Sequence, residues 1–237
     1  PQFEPQYNRE EIAKRVNEYI LGNNFFSENK KTKEFEEKIA ERLGVNHAIT
    51  VTSGTMALVL ALLAKGIKPG DRVLIPNITM MSTQSAVDLI GAKPIFIDLD
   101  VNNACMDIKK AKDYIMAMDC QAVIYVTLNG RSAPSLEKDQ FERFCHKLKI
   151  AFIDDNAQSF GSNYDDAMQI SCPYKSIGCF SMSFHKSLSA GQGGFCVTND
   201  PVLATRLREL KNVGRVDGGA DVHERFGINC KFTDIQA

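Results

Sequence analysis

One lysine, Lys186, lies among small hydroxyl residues and just before a run of glycines. Its serine neighbours are Ser181, Ser183, Ser187 and Ser189. The glycine-rich residues 191–194 allow a tight turn into the apolar residues 195–197, which indicate a strand. A lysine amine whose pKa is lowered can form a Schiff base with an aldehyde cofactor. The alternative is a surface lysine in a serine- and glycine-rich loop.

A second candidate site lies where a short β-branched stretch, residues 48–51, runs into Ser53, Gly54 and Thr55. A strongly helical segment begins at Met56. A helix that starts after a strand presents free backbone amides and the positive end of its dipole to an anion. This turn therefore predicts a phosphate site, with ordinary helix capping by Ser53 or Thr55 as the alternative.

Two adjacent acids, Asp154 and Asp155, follow the apolar residues 151–153. They have three interpretations: ligands of a divalent cation, a carboxylate that faces a protonated ring nitrogen, or a helix cap or turn. No Asp-x-Asp loop accompanies them, which disfavours the metal site.

Alternating helices and strands must position these residues. Helices are predicted at residues 9–22, 33–43, 56–65, 79–90, 108–117 and 136–148, and strands at residues 48–51, 72–75, 94–97, 122–126 and 151–153. This alternation predicts an α/β fold with a mainly parallel sheet and right-handed crossovers. Because ligands of such sheets bind beyond the carboxyl ends of the strands, the candidate residues are expected to meet there.

The composition of the chain disfavours several kinds of partner and site. The 237 residues carry a formal net charge of −1 and are 44% hydrophobic and 24% charged, which disfavours nucleic acid and anionic membranes as partners. No run of about 18 apolar residues predicts a membrane span. Neither the seven cysteines nor the four histidines form a metal-ligand pattern, so we expect no metal site, no disulfide framework and a cytoplasmic location. The cysteines are Cys105, Cys120, Cys145, Cys172, Cys179, Cys196 and Cys230.

Seven stretches occur in an order that is typical of one protein family. They are FE and LG within residues 35–44, TSGTMAL at 52–58, GIKPGDRV at 66–73, GAKPIFID at 91–98, DDNAQS at 154–159, GCFS at 178–181 with the lysine and glycines after it, and FGINCKFTDIQA at 226–237. Together they resemble the DegT/DnrJ/EryC1/StrS family of nucleotide-sugar aminotransferases, enzymes that depend on pyridoxal 5'-phosphate (PLP). The resemblance implies the fold of aspartate aminotransferase, fold type I.

The resemblance also implies a role for each matching residue. Lys186 would bind the cofactor aldehyde and move protons. Asp155 would pair with the ring nitrogen, and Gln158 would contact the ring hydroxyl. The cofactor phosphate would be bound by Gly54, Thr55, Met56 and Ser181. Asn229 would reach the phosphate in a neighbouring subunit of a homodimer.

Several positions depart from the family pattern. Met80 stands where an aromatic residue usually stacks on the cofactor ring, and a thioether packs on such a face less rigidly. Lys231 replaces an arginine and loses its bidentate fork. Residues 127–132 replace a His-x-Tyr-Gly motif, so substrate recognition is expected to differ. A related dehydratase branch has histidine at the lysine position, but the spacing from Gly193 places Lys186 there rather than His185.

The implied organisation is a PLP-binding large domain over residues 1–237, with an N-terminal helical segment at 1–45 and an end before the family's small C-terminal domain. The implied reaction moves an amino group from glutamate to a keto carbon of a nucleotide-linked deoxysugar, with C4 expected and C3 as the alternative. Deoxyamino sugar and polysaccharide biosynthesis would be the setting. A PLP-dependent sugar dehydratase and a non-catalytic PLP-binding regulator are the other readings.

Overall fold

The computed structural model describes residues 8–22, 24–164, 176–215, 222–223 and 225–237, so Cys172 lies outside the described residues. The strands are β1 (His47–Val51), β2 (Arg72–Pro76), β3 (Lys93–Ile97), β4 (Ala122–Val126), β5 (Ala151–Asp155), β6 (Ile177–Ser181) and β7 (Gly194–Thr198). The helices are α1 (Arg9–Leu21), α2 (Lys30–Leu43), α3 (Gly54–Ala64), α4 (Met81–Leu89), α5 (Ile108–Met118), α6 (Ser135–Lys147) and α7 (Pro201–Lys211).

The described strands form one sheet in the order β1-β7-β6-β5-β4-β2-β3. Strands β3, β2, β4, β5 and β6 pair in parallel, whereas β7 is antiparallel to both β6 and β1. Six strands therefore point the same way and their carboxyl ends share one edge of the sheet. The predicted α/β fold with a mainly parallel sheet is confirmed.

Each helix and strand predicted from periodicity is present, β4 at the predicted residues and the others with bounds shifted at one end or both. Helix α3 begins two residues before Met56 because the Ser53 side chain accepts a hydrogen bond from the Met56 amide and caps the helix at Gly54. Strand β5 continues through Asp154 and Asp155, and the Asp155 side chain then caps the turn after the strand by accepting a hydrogen bond from the Ala157 amide. Helix α7 was not predicted, although Asp200 caps it and Pro201 opens it.

The sheet separates two apolar cores. On one side, Ile153 of β5 packs in a cluster with α3, whose residues are buried on nearly every side because the helix contacts the sheet, α4 and α7. On the other side, Phe152 packs in a cluster with residues of α5 and α6. Since successive strand residues face opposite sides, Asp155 belongs to the α3 side and Asp154 to the α5–α6 side.

Asp234, near the end of the described chain, fixes the start of α2. Its carboxylate accepts hydrogen bonds from the backbone amides of Asn29 (2.7 Å), Lys31 (2.9 Å) and Thr32 (3.0 Å). These are amides that a helix start leaves without partners inside the helix. The hydrogen bonds from Thr32 and from these amides hold the pKa of Asp234 below its ordinary value, against the opposing effect of burial.

None of the helices described by the structure has the length and apolar character needed to cross a membrane.

Candidate active site

A cavity of about 420 Å³ opens at the carboxyl ends of the parallel strands. Seven of the residues predicted to bind the cofactor line it: Gly54, Thr55, Met80, Asp155, Gln158, Ser181 and Lys186. The residues come from five separate segments, and the order of the strands brings them together. Other lining residues include Thr79, Ser183, His185 and Gln192.

Two predicted residues do not line this cavity. Met56 is partly buried, packs against the core on the α3 side and donates its amide to the Ser53 side chain. Asn229 is exposed and forms an isolated backbone bridge with Asn212. The structure therefore places Met56 behind the turn and Asn229 away from the cavity of its own chain.

The turn at the start of α3 is held close to two neighbouring strands. A Cβ atom on Gly54 would lie 2.8 Å from Cβ of Ser181, and one on Gly194 would lie 2.5 Å from the carbonyl carbon of Ser53. Glycine is needed at both positions because any side chain would push the strands off the turn. This packing brings the Ser181 hydroxyl to a helix start whose first amides have no partner inside the helix. The arrangement suits a phosphate group.

Asp155 ends β5 on the cavity side and is held by neighbouring donors. Its Oδ1 accepts a hydrogen bond from the Ala157 amide at 3.2 Å, and its Oδ2 accepts one from Thr83 Oγ1 at 3.0 Å. Burial raises the pKa of Asp155 to about 6, an effect that these hydrogen bonds and the nearby Lys186 charge partly oppose. A carboxylate held in this way can bind a protonated ring nitrogen.

The backbone of Asp155 is held by Thr127, which belongs to the segment that departs from the family's His-x-Tyr-Gly pattern. The carbonyl oxygen of Asp155 accepts hydrogen bonds from the amide (3.1 Å) and from Oγ1 (3.0 Å) of Thr127. The buried Thr127 hydroxyl also lies within hydrogen-bond distance of Asn156 and Ser159. This departure therefore has a structural use in fixing the loop after β5.

Asp154 lies on the other side of the sheet, away from the cavity. Its carboxylate forms a fully buried ion pair with Lys138, which also donates to the hydroxyl of Tyr164 at 3.0 Å. Burial opposes the charge on Lys138, but Asp154 and Tyr164 outweigh it and raise the pKa of the lysine. The structure brings together no group of three or more potential metal ligands within its described residues, so nothing there supports the metal interpretation of the two acids.

Lys186 follows β6 and faces Asp155 across the cavity region. Burial lowers the pKa of its amine, and the charge of Asp155 partly opposes this effect. A lowered pKa makes the neutral, nucleophilic amine more accessible near neutral pH. Lys186 also borders a second cavity of about 400 Å³, together with Asn129, His185 and Ser187. Lys186 lies in a loop but is half-buried between two cavities, which favours a site residue over a surface lysine.

Gln158 borders both cavities, and its amide has a defined orientation. The backbone amide of Asn129 donates to Gln158 Oε1 at 2.6 Å. A backbone N–H can only donate, so the atom it meets must be the amide oxygen, and Nε2 remains the donor end. Asn129 achieves this contact in a left-handed conformation, with φ of 54°, which asparagine tolerates better than most residues.

The sequence did not indicate Thr79 and Thr83 as site residues. Thr79 lies just before α4 and Thr83 lies in its first turn, and their hydroxyl oxygens are 2.9 Å apart. In the helix predicted at residues 79–90 this spacing of four residues would put both side chains on one face, which is the signal that the sequence offers. What the sequence does not show is that this face of α4 meets the end of β5, two strands away in the sheet.

A model of the DegT/DnrJ/EryC1/StrS aminotransferase family matches residues 6–237. The chain belongs to this family. The family match covers almost the whole chain, and it confirms the resemblance read from the seven stretches.

Two curated relatives in the family match most of the chain. This chain is 32% identical over 237 residues to GDP-perosamine synthase of Escherichia coli O157:H7, and the match covers 100% of this chain and 63% of the relative. It is 33% identical over 224 residues to UDP-2-acetamido-2-deoxy-3-oxo-D-glucuronate aminotransferase of Pseudomonas aeruginosa, covering 94% of this chain and 58% of the relative. The chain therefore spans about three fifths of the length of these relatives.

Among solved structures, a DegT/DnrJ/EryC1/StrS aminotransferase from Brucella abortus superposes with a TM-score of 0.85 and 31% identity. The superposition covers 96% of this chain and 62% of the Brucella chain. This likeness confirms the predicted fold type I architecture of the family.

Proposed function

We propose that this chain carries the PLP site of an aminotransferase that moves an amino group from glutamate to a keto carbon of a nucleotide-linked deoxysugar. The observation that carries the proposal is the placement of Lys186 and Asp155 on one cavity, next to the turn at the start of α3. Membership of an aminotransferase family supports the reaction class. Both relatives are named for nucleotide-linked sugars or their products, which supports the substrate class.

The residues present fit PLP. Gly54, Thr55 and Ser181 line one cavity at the start of α3, where a phosphate could meet backbone amides and a hydroxyl. Asp155, with one hydrogen-bond donor on each oxygen, keeps lone pairs for a protonated ring nitrogen. Gln158 Nε2 supplies a donor for the ring hydroxyl. When bound, PLP supplies an electron-withdrawing ring that stabilises negative charge on the carbon being deprotonated.

In this proposal the side chains divide the work between binding and proton transfer. Nζ of Lys186 would hold the cofactor aldehyde between reaction cycles and would carry the proton that leaves the carbon bearing the amino group. Asp155 would keep the ring nitrogen protonated. Met80 would offer a thioether to the ring face. Its side chain is 64% exposed, so this contact leaves the ring less confined than an aromatic residue would.

We further propose that the protein acts as a homodimer with shared sites. Apolar side chains around the cavity segments are exposed in the isolated chain: Ile78 (61%), Met80 (64%), Met81 (65%) and Phe184 (50%). Exposed apolar groups of this kind favour a protein interface. Asn229, exposed and outside its own cavity, would then contact the phosphate in the partner's cavity. A cytoplasmic location is part of the proposal and is supported by the free, buried state of the six described cysteines.

The reaction is tested with full-length protein, PLP and glutamate, followed by a set of nucleotide-linked 3-keto and 4-keto sugars. We expect 2-oxoglutarate to form in the first half-reaction and an amino sugar in the second, identified by NMR of the product. The aminated carbon decides between C4 and C3. A deoxy sugar without nitrogen would support the hypothesis of a sugar dehydratase. Binding of PLP without either reaction would support the hypothesis of a non-catalytic regulator.

Subunit sharing is tested by mixing two inactive variants, Lys186→Ala and Asn229→Ala. If Asn229 acts in the partner's site, a mixed dimer has one site with both defects and one intact site. Random mixing should then recover about one quarter of the wild-type activity, because half of the dimers are mixed and half of their sites are intact. No recovery, with dimers shown to exchange, would contradict the shared site.

A further inference from the structure

Thr83 is a fully buried residue whose hydroxyl lies between the cavity wall and the key carboxylate. Its Oγ1 is 3.0 Å from Asp155 Oδ2 and 2.9 Å from Thr79 Oγ1. Thr83 has no measurable exposure, whereas Thr79 lines the cavity. The three side chains therefore form a continuous row of hydrogen bonds from the buried carboxylate to the cavity.

The proton count gives this row a direction. A threonine hydroxyl has one proton to donate and two lone pairs that accept, whereas an ionised carboxylate can only accept. When Asp155 is ionised, Thr83 must give its proton to Asp155, so Thr79 must donate to Thr83. When Asp155 is protonated, the row can reverse, and Thr79 then turns its proton towards the cavity. The orientation of both hydroxyls thus follows the charge of Asp155.

We propose that Thr83 is a positioning residue that holds Asp155 ionised and correctly oriented, and that Thr79 orders the Thr83 hydroxyl from the cavity wall. The role of Asp155 towards a cofactor ring nitrogen rests on the proposed function. The hydroxyl row itself rests only on the contacts of the protein. The Thr83 hydroxyl acts on the Asp155 carboxylate. The charge of Asp155 is therefore set by the protein before a ligand binds.

The other groups around Asp155 do not substitute for Thr83. Lys186 favours the ionised form from the cavity, and the Ala157 amide donates to the other oxygen. Asp154, next along β5, disfavours it by repulsion. Cys179 of β6 lies beside Asp155 in the sheet register and keeps a neutral thiol, since burial raises its pKa. Thr83 is thus the side-chain hydroxyl that acts on Oδ2, and its removal should raise the pKa of Asp155.

The test measures the titration of the Asp155 carboxyl directly, by ¹³C NMR of cofactor-free full-length protein labelled at aspartate. Thr83→Val keeps the shape and removes the hydroxyl, and Thr83→Ser keeps the hydroxyl. We expect Thr83→Val to raise the Asp155 midpoint by about one pH unit, which is the size of one lost hydrogen bond to a charged group. Thr83→Ser should titrate like the wild type, and Thr79→Val should give a smaller shift in the same direction.

Thr198→Val is the matched control. Thr198 is also fully buried, and its Oγ1 donates to the Ser176 carbonyl at 3.0 Å, away from the cavity. It should leave the Asp155 midpoint unchanged. A wild-type midpoint in Thr83→Val, or equal shifts in Thr83→Val and Thr83→Ser, would overturn the inference. If Thr83→Val does not fold, the Asp155 midpoint of Thr79→Val is the deciding measurement. An unchanged midpoint in Thr79→Val would then overturn the inference.

The outcome is separable from that of the proposed function, because the titration uses no cofactor. A protein that fails to bind PLP but shows the Thr83→Val shift would contradict the proposed function alone. A protein that binds PLP and shows no shift would contradict the hydroxyl row alone.

Discussion

Asp154 and Asp155 are neighbours in sequence and lie in two contrasting regions of the molecule. Asp155 faces a cavity and receives hydrogen bonds from a hydroxyl and an amide, with a lysine amine across the space. Asp154 faces the opposite core and is sealed against Lys138 and Tyr164. Strand alternation separates them. A single residue step thus divides a carboxylate that can bind a ligand from one that can only hold the fold together.

The strongest way to break this comparison is to neutralise the cavity acid. Asp155→Asn should lower turnover by about 100- to 1,000-fold, the usual cost of losing one preorganised electrostatic partner in an active site. It should not lower the free energy of unfolding at pH 7, because a buried charge is removed. Steady-state kinetics and urea unfolding of the same samples check both parts. Near-normal turnover would show that Asp155 has no part in the reaction.

The matching change on the other face should affect stability instead. Asp154→Asn leaves the Lys138 ammonium buried without its partner, which costs about 3–5 kcal/mol of unfolding free energy. Replacing both members, Asp154→Leu with Lys138→Met, should restore most of that loss, since an apolar pair of similar volume often substitutes for a buried ion pair. If the double variant is no more stable than Asp154→Asn, the pair is not the reason for the loss.

The pH dependence of stability should sharpen the contrast. Burial raises the pKa of Asp155 from 3.8 to about 6 in the cofactor-free protein. An acid with a raised folded-state pKa stabilises the fold at low pH, and this stabilisation is lost as the pH rises towards the folded-state pKa. Between pH 4 and pH 7 the wild type should therefore lose about 2.4 kcal/mol relative to Asp155→Asn. Unfolding curves that stay parallel across this range would contradict the raised pKa.

A smaller effect is expected at the turn at the start of α3, on the cavity side of the sheet. Gly54→Ala puts a Cβ atom 2.8 Å from Cβ of Ser181, so we expect a loss of about 1–3 kcal/mol from overpacking and weaker PLP binding. Ser181→Gly removes the obstructing atom. In the double variant the stability loss should shrink while the weak PLP affinity remains, because the Ser181 hydroxyl is also gone. Additive stability losses would show that the two residues do not meet.

The sequence predicted the strands well because buried parallel strands are short, apolar and separated by turn residues. It also placed Gly54 and Asp155 after predicted strands and Lys186 before one, and the structure brings all three to one cavity. It left the two acids ambiguous, because the bounds of β5 decide which of them faces the cavity. A prediction that ended the strand at Ile153 could not use strand alternation to separate them.

Other features depended on contacts that local patterns do not contain. Thr83, on the helix after β2, meets Asp155 at the end of β5, although β4 lies between β2 and β5 in the sheet order. Asp234 caps α2 from about 200 positions along the chain, whereas the side chain of Asn29, a residue type common at helix starts, makes no capping hydrogen bond. Lys138 and Asp154 pair across the space between α6 and β5. Each is a tertiary contact, and a single sequence gives the residue types without their partners.

The most direct test of the central claim, that Lys186 and Asp155 serve one cofactor, is borohydride reduction of the PLP-loaded full-length protein followed by peptide mass spectrometry. The account predicts that reduction attaches the cofactor to the peptide that contains Lys186 and to no other lysine, and that Lys186→Ala gives no adduct. An adduct on a different lysine of the wild type, or no adduct from protein that has been given PLP, would contradict it.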